Sequence, residues 1–166
     1  MSLPFRLLII GLVLATTVSL LLFYSKTKDT TVKKNDTEKF NKKLEHFNLL
    51  DGIAFETLSD IDTLSKEEKQ EQLKETILND WTECVNLMDE ASSLTINEEQ
   101  EAVRKKLLQY AKLRVEQTLL RIKMNDENNN NYKHRIDSFQ QEIIIVQDAF
   151  KEMYKEQKST RSAKQL

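Results

Sequence analysis

From Tyr132 to Met153 the chain reads YKHRIDSFQQEIIIVQDAFKEM, with apolar side chains at Tyr132, Ile136, Phe139, Ile143, Val146, Phe150 and Met153. The intervals are 4, 3, 4, 3, 4 and 3 residues, which keeps one apolar seam on one side of a helix through three heptads. A strand would alternate with a period of two, and this stretch does not. A single seam must be covered, so the segment predicts partner helices. Two further stripes supply them upstream: Phe40, Leu44, Phe47, Leu50, Ala54, Leu58 and Ile61, and then Leu73, Ile77, Trp81, Cys84, Met88 and Ala91. Between Val103 and Met124 the stripe widens to Val103, Leu107, Leu108, Tyr110, Ala111, Val115, Leu119 and Ile122, as suits a helix packed against more than one neighbour.

The breaks between stripes carry turn chemistry. Ser65-Lys66-Glu67-Glu68 and Thr95-Ile96-Asn97-Glu98 have the S/T-x-x-E form of a capping box, and Ser92-Ser93 closes the element before the second. Asn125 to Asn131 (NDENNNN) reads as a loop, because asparagine tolerates the left-handed region after one helix and caps the next. The predicted helices span 37–60, 66–91, 96–124 and 132–157. Short links make neighbours antiparallel.

Glycine and proline are nearly absent: two glycines and one proline in 166 residues, where average usage would place about 20 of the two together. Tight β-turns and phosphate-binding loops need those residues, so sandwiches, barrels, dinucleotide folds and serine-hydrolase folds are disfavoured. The expected fold class is all-α: an N-terminal transmembrane helix followed by an antiparallel three- or four-helix bundle. The number turns on Gly52, which interrupts the first stripe next to Asp51. A glycine within a helix costs about 1 kcal/mol. If the helix breaks there, three helices carry the bundle and a helical hairpin lies across them.

The amino-terminal segment differs from the body. Phe5 to Tyr24 reads FRLLIIGLVLATTVSLLLFY, uncharged from Leu7 onward. Eighteen residues of helix rise about 27 Å, near the bilayer's hydrocarbon thickness. A cleaved signal peptide would be shorter and end at small residues, whereas Phe23 would sit at the −3 position of a cut after Ser25. The predicted organisation is a membrane anchor at 1–25, a polar juxtamembrane linker at 26–36, a bundle at 37–158 and a disordered tail at 159–166. Lys26, Lys28, Lys33, Lys34, Lys39, Lys42 and Lys43 follow the span, against Arg6 before it, which favours a cytoplasmic body by the positive-inside rule.

Chemistry-bearing patterns are few. Lys+Arg is 25 against Asp+Glu 27, leaving no general basic surface for nucleic acid. The single cysteine, Cys84, lies on an apolar stripe and reads as a small buried hydrophobe. Di-iron bundles need Glu-x-x-His on two helices; Lys43 precedes His46 by three and Asn131 precedes His134 by three. The two histidines therefore read as surface residues, and no metal or cofactor is implied. Asn35-Asp36-Thr37 matches a glycosylation sequon but lies close to the span, where chance explains it. No enzyme hypothesis gains a named residue.

Leu107-Leu108-Gln109-Tyr110-Ala111-Lys112-Leu113-Arg114-Val115, with Trp81 upstream and Tyr132-Lys133-x-x-Ile136 downstream, resembles the soluble helical tail of some bacterial rhomboid-family membrane proteins. The likeness covers roughly residues 40–155. The rhomboid catalytic core needs a Gly-x-Ser-Gly serine and a histidine within several membrane helices; this chain has neither, so no protease activity carries over. The resemblance implies a bacterial, cytoplasm-facing tail module on a membrane anchor.

The expected function is a single-pass membrane-anchored helical bundle acting as a non-catalytic protein-interaction module: a tether, adaptor or accessory subunit. Its partners would be the lipid bilayer and another membrane or membrane-proximal protein, with no nucleic acid. Tyr110, Arg114 and Tyr154 are the candidate contact residues. The alternative is an extracytoplasmic ligand-sensing bundle, which usually transmits through a second membrane helix that the sequence lacks.

Overall fold

The computed structural model describes residues 34–163 except Asn128, with side chains described as far as Met153. Four long helices follow one another. Helix α1 spans Lys34–Asp60 and ends in a 3₁₀ turn, Ile61–Thr63. Helix α2 runs through Lys66–Glu71, Gln72–Ile77 and Leu78–Glu90, then tightens into the 3₁₀ turn Ala91–Ser93. Helix α3 spans Glu98–Glu127, and after the 3₁₀ turn Asn130–Tyr132 helix α4 spans Lys133–Ala163. Among the described residues there is no strand.

The side-chain pairings set the directions. Along α1, the Asp36 carboxylate accepts from the Thr95 amide, Lys43 pairs with Glu90, and the Phe47 carbonyl meets Cys84. Partner numbers fall as α1 numbers rise, so α1 and α2 are antiparallel. Helices α2 and α3 behave likewise: Arg104 reaches the Met88 carbonyl, while Asn125 reaches the Lys66 carbonyl at the opposite end. The short link at 128–132 turns α4 back along α3. Close packing joins sequence neighbours, α1 on α2, α2 on α3 and α3 on α4.

One apolar core joins all four helices, with Phe40 and Phe47 from α1, Trp81 and Met88 from α2, Leu107 from α3, and Ile143 and Phe150 from α4. The α4 seam packs as its spacing predicts: Ile136, Ile143, Val146 and Phe150 are all buried. Gly52 lies inside α1, so the four-helix reading holds. A Cβ built there meets nothing within 4 Å, so the exposed outer side of the helix tolerates the residue without a break.

Helix α2 holds a feature absent from the periodicity. Gln72–Ile77 is a π turn, closed by the Leu78 amide donating to the Leu73 carbonyl. In an α-helix, four-residue steps drift about 40° each past a full turn. Leu73, Ile77 and Trp81 are two such steps, yet all three are buried. The wider i→i+5 turn absorbs the drift and keeps them on the core side.

Caps explain two shifted boundaries. Ser65 forms the predicted capping box, its Oγ accepting from the Glu68 amide at 3.3 Å while its own amide donates to Glu68 Oε2 at 3.0 Å. The box expected at Thr95–Glu98 forms two residues later. Asn97 Oδ1 accepts from the Gln100 amide at 2.7 Å, the Asn97 amide donates to Gln100 Oε1 at 3.3 Å, and α3 starts at Glu98 rather than 96. Thr95 is diverted to Asp36, which ties the α2–α3 link to the start of α1.

Three other helix bounds differ from those predicted: α1 begins at Lys34 rather than 37, α3 continues to Glu127 rather than 124, and α4 continues to Ala163 rather than 157. The predicted anchor at 1–25 lies outside the described residues. No described helix is long and apolar enough to cross a membrane.

Candidate functional site

Helix α3 occupies the middle of the molecule, and its buried side is polar in its second half. The core positions Val103, Leu107 and Tyr110 continue at helical spacing through Arg114, Gln117 and Thr118 to Ile122. Those polar side chains build one hydrogen-bonded chain. The Tyr110 hydroxyl donates to Asp51 Oδ1 of α1 at 2.9 Å and accepts from Arg114 Nε at 3.2 Å. Arg114 also donates through Nη1 to Gln117 Oε1 at 3.3 Å. Gln117 Nε2 in turn donates to the Ile136 carbonyl and to Gln140 Oε1 of α4, both at 3.2 Å. The chain thus crosses from α1 through α3 to α4.

Helix α2 joins it through Trp81. The Arg114 guanidinium carbon lies 5.4 Å from the Trp81 ring centroid and 5.2 Å from that of Tyr110, and the two rings stand edge to face at 5.8 Å. A guanidinium sheathed by two π faces is held partly by their quadrupoles, worth more in a desolvated site than at a surface. Tyr110 is 1% exposed and Arg114 2%. Burial pushes the Asp51 carboxyl up to about 6, opposed by the Arg114 charge and the Tyr110 hydrogen bond. Burial also drives the Tyr110 phenol above its ordinary range, which keeps it a neutral donor. The Cys84 thiol, buried near Phe47 and pushed up by desolvation and by nearby Asp51, stays protonated and inert. Sealed and mutually bonded, this chain fixes helix register rather than meeting a ligand.

A second polar locus lies at one end of the bundle, where the α1–α2 turn meets the end of α3. A cleft of 140 Å³ is walled by Ile61, Leu73 and Met124, with Asp62, Lys69, Arg121, Asn125 and Asn130 supplying polar atoms. Lys69 Nζ pairs with Asp62 Oδ1 at 2.9 Å. Asn125 Nδ2 donates to the Lys66 carbonyl and Gln70 Oε1, which fixes the floor of the cleft to α2. Arg121 Nε is buried and has no hydrogen-bond partner among the described residues. Among the described residues, no group of three or more His, Cys, Asp or Glu side chains could hold a metal.

Of the predicted contact residues, Tyr110 and Arg114 are corrected: both are interior, bonded to each other and to Asp51, and neither is open to a partner. Helical spacing was the available signal, since both continue the line of Val103 and Leu107. The Tyr154 side chain lies outside those described. His46 and His134 are exposed. Exposed large apolar side chains lie elsewhere: Leu49 (61%) and Ile53 (42%) on α1, Leu119 (37%) on α3 and Ile145 (67%) on α4.

No family model, no curated protein and no solved structure matches the chain.

Proposed function

We propose that the protein is a single-pass membrane-anchored helical bundle that acts as a non-catalytic protein-interaction module: a tether, adaptor or accessory subunit, with its body on the cytoplasmic side. The observation that carries this reading is the outer side of α1. Leu49 and Ile53 stand exposed one turn apart, with exposed Gly52 beside them. Residues at i, i+3 and i+4 share a helix side, so a partner helix would meet two apolar side chains and a gap that admits close approach. Nothing within the fold fills that gap. The anchor rests on the apolar run from Phe5 to Tyr24, and the orientation on the lysines that follow it.

The test is purification from membranes in mild detergent. A stoichiometric partner that is retained by the wild type and lost from the double variant Leu49→Glu, Ile53→Glu supports the reading. Equal recovery from both, or no stoichiometric partner, counts against it.

The cleft beside Arg121 favours the second reading, an extracytoplasmic ligand-sensing bundle. A compartment-sensitive reporter fused after Leu166 separates the two, because a cytoplasmic signal removes the sensing alternative.

A further inference from the structure

Arg121 is a cation that the fold leaves unneutralised. Among the described residues its guanidinium makes no hydrogen bond and no ion pair, although its Nε is buried. Desolvation and the charge of Arg114 both work against its protonated form, while Asp62 and Asp137 favour it without reaching ion-pair distance. Asp62 is instead committed to Lys69. A half-buried guanidinium whose Nε is desolvated and unbonded favours an anionic partner, and the cleft it lines has room for one.

The walls narrow the class of anion. Among the lining residues Arg121 and Lys69 against Asp62 leave one positive charge in excess, with Asp137 acting on Arg121 from outside the lining, so a monoanion is the most the site matches and a dianion meets Asp62. The cleft, 140 Å³, admits a ligand of a few heavy atoms. Its apolar side, Ile61, Leu73 and Met124, rewards a short hydrocarbon tail. A planar carboxylate also suits the two-pronged guanidinium fork. We infer that this cleft binds a small monocarboxylate carrying a short apolar tail, with Arg121 pairing the carboxylate and Lys69 and Asn130 offering further donors. The inference goes beyond the interaction reading and holds whether or not a protein docks on α1.

The test uses the full chain in detergent micelles with ¹³C-labelled isoleucine and methionine methyls, titrated with sodium butyrate, acetate and inorganic phosphate at constant ionic strength. Butyrate is expected to shift the Met124 and Ile61 methyls saturably in the millimolar range, acetate less, and phosphate least, while the buried Met88 methyl stays fixed. Arg121→Gln should weaken butyrate about tenfold or more, as loss of a charge-assisted pair requires, and Arg121→Lys should keep part of the binding. An unmoved Met88 methyl in the variants shows that the fold is intact, and Lys69→Gln, expected to weaken butyrate less, replaces Arg121→Gln if that variant does not fold. An absence of saturable shifts with butyrate, equal titration of wild type and Arg121→Gln, or phosphate binding as well as butyrate overturns the inference.

Discussion

The Tyr110 hydroxyl donates a 2.9 Å hydrogen bond to Asp51 Oδ1, joining α3 to α1 across 59 residues of sequence. Because the same oxygen accepts from Arg114, removing it leaves both a buried carboxylate and a buried guanidinium short of a partner. Tyr110→Phe should therefore cost about 2–3 kcal/mol, read as a lower urea midpoint with an unchanged slope.

Asp51 gives the fold a pH dependence of unusual sign. Its folded value of about 6 lies above the ordinary 3.8, so between those values the folded state binds more protons than the unfolded. This group's contribution falls as pH rises from about 4 to about 6 and is level above that. The groups that face it are Arg114 and Tyr110 from α3 and Cys84 from α2. Wild type minus Asp51→Asn isolates the effect from acids whose values are lowered, such as Glu68 and Glu101. That difference should move in favour of the wild type, by something on the order of 2 kcal/mol, between pH 7 and pH 4 in chemical denaturation.

Gly52→Ala should stabilise the protein by about 1 kcal/mol through helix propensity, since the added Cβ meets nothing within 4 Å. A higher melting temperature checks this. If a partner helix docks against α1, bulkier Gly52→Leu should release it while leaving the isolated fold intact.

Gln147 of α4 is 3% exposed, and neither polar atom of its side chain has a hydrogen-bond partner among the described residues. An unsatisfied buried amide is a net cost. Gln147→Met, similar in length, should raise stability by about 1–3 kcal/mol in urea denaturation.

Helix count and most packing sides were legible because apolar side chains repeat at helical spacing wherever a helix buries a single side, as α4 does with Ile136, Ile143, Val146 and Phe150. Helix α3 defeats that rule in its second half. Reading apolar residues alone assigns Val115 and Leu119 to the core, yet Leu119 is 37% exposed, and Arg114, Gln117 and Thr118 are buried in the interior instead. The spacing was intact; the residue types were not the expected ones. At the α3 start, T-x-x-E and N-x-x-Q overlap, and composition cannot choose between two caps when the outcome depends on Asp36 claiming the Thr95 amide from 59 residues away. The cleft beside Arg121 was invisible for a similar reason, since Asp62, Lys69 and Asn130 come from separate turns and elements.

The π turn at Gln72–Ile77 also bears on how the chain tolerates changes in length. Such a turn takes one residue more than an α turn to make the same circuit of the axis. Removing a residue elsewhere in α2 would rotate everything beyond it by about 100°, carrying Trp81 away from Tyr110 and Arg114. Removing one within the π turn would convert it to an ordinary α turn with both flanking segments still in phase. The helix that carries the core tryptophan thus has one built-in place where a deletion is absorbed locally.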